Sequence, residues 1–554
     1  EARCAFVILL MATYYMTEAL PLAVTALMPV FAFPLLGIIS TDAICRFYMR
    51  GTAMMFFGGL SVAIAVEHCN LHKRIALFVI LKVGQSPTLI MIGFMLTTMF
   101  ISMWISNTAA GAMMIPILDA ILQELFKNDK AHNELNKSSE DFIELKFSKK
   151  TLSKTELIEN SPNLNMLIRS LHHSPRAESF KPERKEEVNN NEERLSPPDK
   201  ESQALSTMLF LATAYSANIG GTAFPTGTGP NLVFWGLFQN SFSGNTGLNF
   251  VSWMLFNIPG MFLCMLCTWA LLQIHFMGIG KWRKFPKCSE EKKERIRNLV
   301  QHHYDSLGPI TFHEICVTVL FSTLVLLWVF RAPGKVGNAT PAIFIVFLLF
   351  IIPSKLPWKD TSAGPIPSCL TWEVVHKKVP WGLILLVGGG FAMAEGASAS
   401  GLSTWLQAQL QVLEILPKQA IVFLVCFITT FLTEIITNIT AASVLLPVLK
   451  DMAIGLGIHP LYLMLPGTVC CSYAFMLPVS NPPNAIAFNA STMKTTDMMK
   501  VGFFLNIICI VIMTILINTL GVEIFDLKTF PEWAGNATVN ASSLIEPLAN
   551  DTLI

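Results

Sequence analysis

The chain has 554 residues, 52% of them hydrophobic and 14% charged, and a formal net charge of +1. A mean hydropathy of +0.52 excludes an ordinary soluble enzyme and makes the lipid bilayer the natural solvent for this chain. The balanced charge offers no basic footprint for a nucleic acid, and the twelve cysteines lie mostly inside apolar segments, without the paired Cys/His spacing of a zinc site.

A membrane-spanning helix takes about 20 predominantly apolar residues. Runs of that kind predict helices over 3–19, 21–39 and 52–67, followed by a longer apolar stretch over 87–126. Lys127 to Gln203 is rich in Asn, Glu, Lys and Ser with few aromatic residues; it buries too little surface to fold alone and reads as a disordered loop. Apolar helices resume over 204–219 and 249–277, then over 311–330, 339–353 and 381–397. A second long stretch, 417–456, precedes the last two runs at 460–479 and 501–524. The expected fold class is an all-α polytopic membrane protein.

Charge sets the orientation. The 127–203 loop, the basic segment 281–297 (KWRKFPKCSEEKKERIR) and the loop from Lys355 to Lys378 belong in the cytoplasm by the positive-inside rule, while the uncharged segment 240–250 faces outward. Beyond the last apolar run, Asn536, Asn540 and Asn550 each begin an N-glycosylation triplet, with another at Asn338. They point to an extracellular C-terminus and a plasma-membrane location.

The two long stretches contain related motifs, SNTAAGAMMIP at 106–116 and TNITAASVLLP at 437–447, in which an Asn, an Ala and a Pro coincide. Downstream of each lies a break of Gly, Pro and polar residues directly after an apolar helix: GTAFPTGTGPN at 221–231 and MLPVSNPPN at 476–484. Pro116 precedes Asn231 by 115 positions and Pro447 precedes Asn484 by 37; the difference of 78 matches the 77 residues of the hydrophilic loop. The chain therefore reads as an internal duplication, each unit holding one interrupted hairpin and one interrupted helix. The first hairpin starts after His72, Lys73 and Arg74 and ends at Lys127, both on the cytoplasmic side. The second follows the outward end of a helix, so the repeats are inverted. Inverted repeats with discontinuous helices and re-entrant hairpins near the midplane are the layout of secondary transporters, because irregular backbone survives at that depth only where it is buried in protein or lines a cavity.

A hairpin tip at the midplane presents carbonyls from its first arm, suited to Na⁺, and N–H groups from its second, suited to an anion. Asn107 and Asn438 each bring one acceptor oxygen and two donors, and Ser106, Thr108, Thr437 and Thr440 bring hydroxyls that serve either ion. Ser102 and Thr433 sit one helical turn earlier, on the side of the same ion. No Arg or Lys occurs in 87–126, 204–238 or 460–493, so sodium ions are left to neutralise a bound dianion. Binding of anion and cations then becomes mutually dependent, a physical route to symport. Other features carry less. His313-Glu314 lacks the second His of a zinc-protease helix, since Val317 stands there. The glycines of GGGFAMAEG at 388–396 follow no strand and read as helix packing. Glu395 and Glu434 are intramembrane acids, read as interfacial or structural rather than as proton relays.

At these residues the chain resembles the eukaryotic sodium-coupled di- and tricarboxylate and sulfate symporters of the divalent anion–sodium symporter superfamily. The landmarks run along nearly the whole chain: TEALPLAVTALMP at 17–29, EHCNLHKRIAL at 67–77, SMWISNTAAGAMMIP at 102–116, IGGTAFPTGTGPN at 219–231, VPWGLILLVGGGFA at 379–392 and FMLPVSNPPNAIAF at 475–488. The resemblance implies eleven spans plus two re-entrant hairpins, one span preceding Glu1, and a homodimer in which a scaffold holds the dimer while a transport domain moves as an elevator. Scaffold helices followed by the first hairpin (87–126) then fill 1–126, with a disordered cytoplasmic loop at 127–203 and first-repeat transport helices at 204–277. A basic cytoplasmic linker fills 278–310, second-repeat scaffold helices 311–416, the second hairpin and its transport helices 417–524, and a glycosylated extracellular tail 525–554.

Carried over by resemblance, Ser106, Asn107 and Thr108 with Thr437 and Asn438 contact the substrate carboxylates. One sodium site combines Ser102 and Asn107 with the loop around Thr226, Gly227 and Gly229; the other combines Thr433 and Asn438 with the loop around Ser480 and Pro482. Two departures bear on substrate choice: Ile439 ends the second motif, and Asn481 puts an amide where carboxylate members carry a hydroxyl. The intact Gly-Thr-Gly-Pro-Asn at 227–231 is similar to the carboxylate branch. The implied activity is sodium-coupled import of succinate-like dicarboxylates or citrate, with sulfate as runner-up, no cofactor beyond co-transported Na⁺ and no nucleic-acid partner. An anion channel and a membrane-embedded enzyme are the alternatives from other classes; for the enzyme, no nucleophile, base or metal cluster assembles in the sequence.

Overall fold

The computed structural model describes residues 1–83, 87–125, 200–242, 246–278, 290–330, 337–355 and 366–534. Nearly all of the expected disordered loop, and the triplets at Asn536, Asn540 and Asn550, lie outside the described residues. Glu1–Ile121 and Gln203–Ile554 form one compact unit; the other, Leu122–Ser202, is described only at its two ends.

Helices make up the regular structure among the described residues, with one isolated antiparallel bridge between Pro353 and Ser368. The chain opens with α1 (Ala2–Thr17), α2 (Leu22–Thr25), α3 (Met28–Leu35), α4 (Thr41–Tyr48), α5 (Gly51–His68) and α6 (Leu71–Val83). Next come the arms of the first hairpin, α7 (Pro87–Ser102) and α8 (Asn107–Leu125). They are followed by α9 (Lys200–Gly220), α10 (Gly229–Ser241), α11 (Phe250–Met277), α12 (Glu290–Asp305), α13 (Phe312–Val329) and α14 (Ala339–Ile351). After α15 (Trp372–Lys378), α16 (Trp381–Ala399) and α17 (Leu402–Leu410), the second hairpin is built from α18 (Lys418–Leu432) and α19 (Asn438–Gly455). Its companions are α20 (Pro460–Cys470), α21 (Pro482–Ala490) and α22 (Thr495–Leu516).

Seven of the described helices are long and apolar enough to cross a membrane. The first arms of both hairpins are not: Leu89–Ser102 and Lys418–Leu432 belong to the shorter apolar class. At 1.5 Å per residue, a 15-residue arm reaches only about 22 Å into a hydrocarbon core of about 30 Å. The run at 460–479, expected as one span, is helical only to Cys470 and then breaks. Conversely, α6 and α12 were not apparent as apolar runs, because both carry charges on exposed faces. Large apolar side chains such as Phe6, Leu9, Leu255, Leu266, Phe344 and Phe347 are exposed along the apolar helices, long and short, as lipid-facing positions are.

The glycines of α16 permit close packing. A Cβ on Gly389 would lie 3.0 Å from Ala26 Cα and one on Gly388 2.9 Å from Tyr48 Cα, which brings α16 against α2 and α4. The fourth glycosylation triplet does not fit its place: Asn338 is buried at the start of α14 and its carbonyl accepts the Trp328 indole N–H at 3.1 Å.

Arg74, counted among the cytoplasmic charges by sequence, is buried and fully engaged. Its Nε donates to Glu314 Oε1 at 2.9 Å, while its two terminal nitrogens reach Gly308 O at 2.9 Å and Leu307 O at 3.1 Å. Glu314 Oε2 in turn accepts the Thr311 N–H at 2.7 Å, capping α13. The pair ties α6, which leads into the first hairpin, to the α12–α13 junction. Arg74→Ala leaves Glu314 buried without its cation and is expected to cost about 3–5 kcal/mol. A thermal-unfolding scan of the purified variant would read this, and Arg74→Lys should recover only part of it, lacking the guanidinium fork.

Candidate functional site

Each hairpin reverses through a tight turn. In the first, Trp104 and Ile105 N–H bond to Ile101 O, and Ser106 Oγ accepts Ala109 N–H at 3.3 Å to start α8. In the second, Ile435 and Ile436 N–H bond to Leu432 O, and Thr437 Oγ1 accepts Thr440 N–H at 3.4 Å to start α19.

The two turns build the same nest of oxygens. Ser102 Oγ lies 2.8 Å from Asn107 Oδ1 and 2.6 Å from Ala217 O. Thr433 Oγ1 lies 2.9 Å from Asn438 Oδ1 and 2.8 Å from Cys471 O. All four side chains are buried. A hydroxyl has one proton and satisfies one acceptor at a time, so three oxygens converge on a single proton in each nest. That excess of acceptors suits a cation. The C-terminal ends of α7 and α9 meet at the first nest and those of α18 and α20 at the second, adding the negative ends of their dipoles.

The broken helices are stitched alike. Asn231 Nδ2 donates to Gly221 O at 3.1 Å and Phe224 O at 2.9 Å; Asn484 Nδ2 donates to Ala474 O at 2.8 Å and Leu477 O at 3.3 Å. In both cases the acceptors stand ten and seven residues before the Asn. Gly221 is glycine because Asn107 leaves no room: an added Cβ would collide with the Asn107 amide, its Cγ at 3.0 Å. Gly221→Ala is therefore expected to displace Asn107 and abolish uptake with little loss of surface expression, measurable by uptake alongside surface labelling.

The two halves interlock at their helix N-termini. A Cβ on Gly229, at the start of α10, would strike the Ile439 side chain of α19, and one on Gly111 of α8 would lie 3.2 Å from Pro483 of α21. Four helix N-termini thus meet in two pairs, a setting that favours an anion. Asn481, the residue before α21, is buried with its Nδ2 unpaired, a donor awaiting an acceptor.

Glu434 supports the second break. Its Oε1 accepts Phe475 N–H at 2.7 Å, Met476 N–H at 2.9 Å and Asn506 Nδ2 at 2.8 Å, and its Oε2 accepts Leu477 N–H at 3.2 Å. Four donors converge on this buried carboxylate and fix it against the second break, which is a structural role. In the first repeat Met103 occupies the corresponding position, and a Cβ on Gly227 would lie 3.0 Å from its carbonyl.

The remaining expected residues fall as follows. Ser106, Thr108 and Pro482 are exposed and Thr437 is half-buried at the second hairpin tip. Gly227 sits beside Gly221 and Met103, next to the first nest. The methyl of Thr226 lies 3.2 Å from where a Cβ on Gly59 would be, so that face of the residue is turned to α5. Ser480 is buried and donates to Leu477 O at 2.7 Å within its own turn. In the sequence Asn231 and Asn484 stand only as spacing markers; their identical place after a Pro in both breaks is the signal of their role.

Long apolar helices around two matched, oxygen-lined breaks define a polytopic membrane protein of the ion-coupled transporter class. The chain belongs to the family described as the sodium:sulfate symporter transmembrane region, which it matches over residues 1–526. It is 39% identical over 581 residues to the human Na(+)/dicarboxylate cotransporter 3, covering 100% of this chain and 93% of that protein. It is 38% identical over 570 residues to the mouse Na(+)/citrate cotransporter, covering 97% and 94%. To the rat solute carrier family 13 member 2 it is 41% identical over 579 residues, covering 100% and 94%.

Proposed function

We propose that this chain imports succinate-like dicarboxylates or citrate across the plasma membrane together with sodium ions. The observation that carries this reading is the duplicated nest, in which Ser102 with Asn107 and Thr433 with Asn438 each gather three oxygens around one proton. Sodium fills both nests. The remaining donors of the two Asn amides, the tip hydroxyls of Ser106, Thr108 and Thr437, and the Asn481 amide face the carboxylates, with Pro482 at their edge. Thr226, Gly227 and Gly229 complete the first ion site from its broken helix, and Ser480 the second. A dianion buried without a cationic side chain is strongly disfavoured, so it binds with the sodium ions or not at all.

The hairpins are re-entrant and inverted, and the chain moves substrate by an elevator motion of the transport helices (204–277 and 417–524) against a scaffold that pairs two copies. The C-terminal tail is extracellular. Sulfate is the second reading, favoured by the family's description; the names of the relatives and the Gly-Thr-Gly-Pro-Asn at 227–231 favour the carboxylates.

The test is uptake of labelled succinate, citrate and sulfate into cells expressing the chain, in Na⁺ and with choline replacing it. Na⁺-dependent succinate or citrate uptake is expected. Succinate uptake that ignores Na⁺ would refute the coupling, and sulfate uptake alone would overturn the substrate assignment.

A further inference from the structure

Buried acceptors that neither nest uses collect between the two broken helices. Asn218 Oδ1, Asn231 Oδ1 and Ser472 Oγ are each without a hydrogen-bond partner, in side chains that are 0% exposed. Bonds made by their neighbours link the two breaks. Asn218 Nδ2 donates to Asn484 Oδ1 at 3.1 Å, and Asn484 Nδ2 reaches Ala474 O, two residues past Ser472. Asn231 Nδ2 reaches Gly221 O, three residues past Asn218 and so about one helical turn away.

The internal duplication shows why these oxygens are orphaned. Asn218 follows the carbonyl of Ala217 that Ser102 engages; Ser472 follows the carbonyl of Cys471 that Thr433 engages. Asn231 and Asn484 hold matching places in the two breaks. The Asn218–Asn484 bond therefore maps onto the pair Ser472 and Asn231. There the shorter serine replaces the amide, and Ser472 Oγ and Asn231 Oδ1 are both left without a partner. Two of the three oxygens are amide carbonyls, which only accept, and the nitrogens of the same amides are already engaged. The C-terminal ends of α9 and α20 face this layer and make it more negative.

We propose that these orphaned oxygens form a further Na⁺ site, separate from the two nests, with Asn218 Oδ1, Asn231 Oδ1 and Ser472 Oγ as ligands. It rests on the sodium-coupled reading above and adds one co-transported cation to it. Because its ligands come from both repeats, occupancy ties the two broken helices together.

The test pairs two substitutions in the full chain with simultaneous ²²Na⁺ and labelled-succinate fluxes. Ser472→Asn supplies the amide donor that the duplication lacks, to pair with Asn231 Oδ1 as Asn218 pairs with Asn484 Oδ1; the Na⁺:succinate flux ratio should fall by one. Ser472→Ala removes a ligand without filling the space, and the half-saturating Na⁺ concentration should rise about tenfold. Unchanged ratio in the first variant and unchanged Na⁺ dependence in the second would overturn the site and leave a bridging water there. If Ser472→Asn does not reach the surface, the Na⁺ dependence of Ser472→Ala decides alone. Failure of the sodium-coupled reading itself would show earlier, as Na⁺-independent uptake by the unmodified chain.

Discussion

Asn107→Ala and Asn438→Ala are each expected to abolish sodium-coupled uptake while leaving the protein at the cell surface. Each substitution deletes one of the three oxygens of a nest and both amide hydrogens, which the proposed function assigns to the anion. Interactions with charged partners contribute about 1.5–3 kcal/mol each, so the loss of one contact to each ion sums to about 3–6 kcal/mol. That is more than a 100-fold fall in uptake at limiting substrate. Folding is spared, because Ser102 and Thr433 keep a carbonyl acceptor each, Ala217 O and Cys471 O. Surface biotinylation alongside uptake separates the two effects, and normal uptake by either variant would remove the Asn from the site.

Glu434→Gln has the opposite signature: it lowers stability and uptake together. The carboxylate accepts three backbone N–H groups, those of Phe475, Met476 and Leu477, and the Asn506 amide. Glutamine keeps an oxygen for the three donors on Oε1 but turns its NH₂ group toward the Leu477 N–H, leaving that buried donor unpaired. The cost is about 1–3 kcal/mol, the scale of leaving a buried donor unsatisfied. Uptake falls as well, because Leu477 O orients both Asn484 and Ser480. A thermal midpoint equal to that of the unsubstituted protein would contradict this role.

The contrast between these two sites marks what sequence makes legible. The duplicated motifs, their spacing and the one-turn offset of Ser102 and Thr433 from the two Asn residues led directly to the nests, because polar groups repeated inside long apolar runs are costly at that depth unless they meet an ion or one another. The means of holding each break open was hidden. The first repeat uses a close glycine contact, Gly227 against Met103 O, where the second uses Glu434, and no local pattern announces that a lone acid will cap three N–H groups about 40 residues away. The charges of α6 and α12 likewise mask their helicity in the sequence, and the apolar run to 479 outlasts its helix, which ends at Cys470. Arg74 shows the same limit: a charge counted as cytoplasmic is a buried tie between distant segments, visible only once Glu314 is brought beside it.

Co-operation between sodium and the carboxylate is the central claim, and concentrative transport tests it most directly. Purified protein reconstituted into liposomes, with Na⁺ outside and choline inside, should accumulate succinate above its external concentration. The accumulated succinate should leak away when an ionophore collapses the Na⁺ gradient. Succinate that only equilibrates across the membrane, at a rate indifferent to the gradient, would contradict the account and point to a channel.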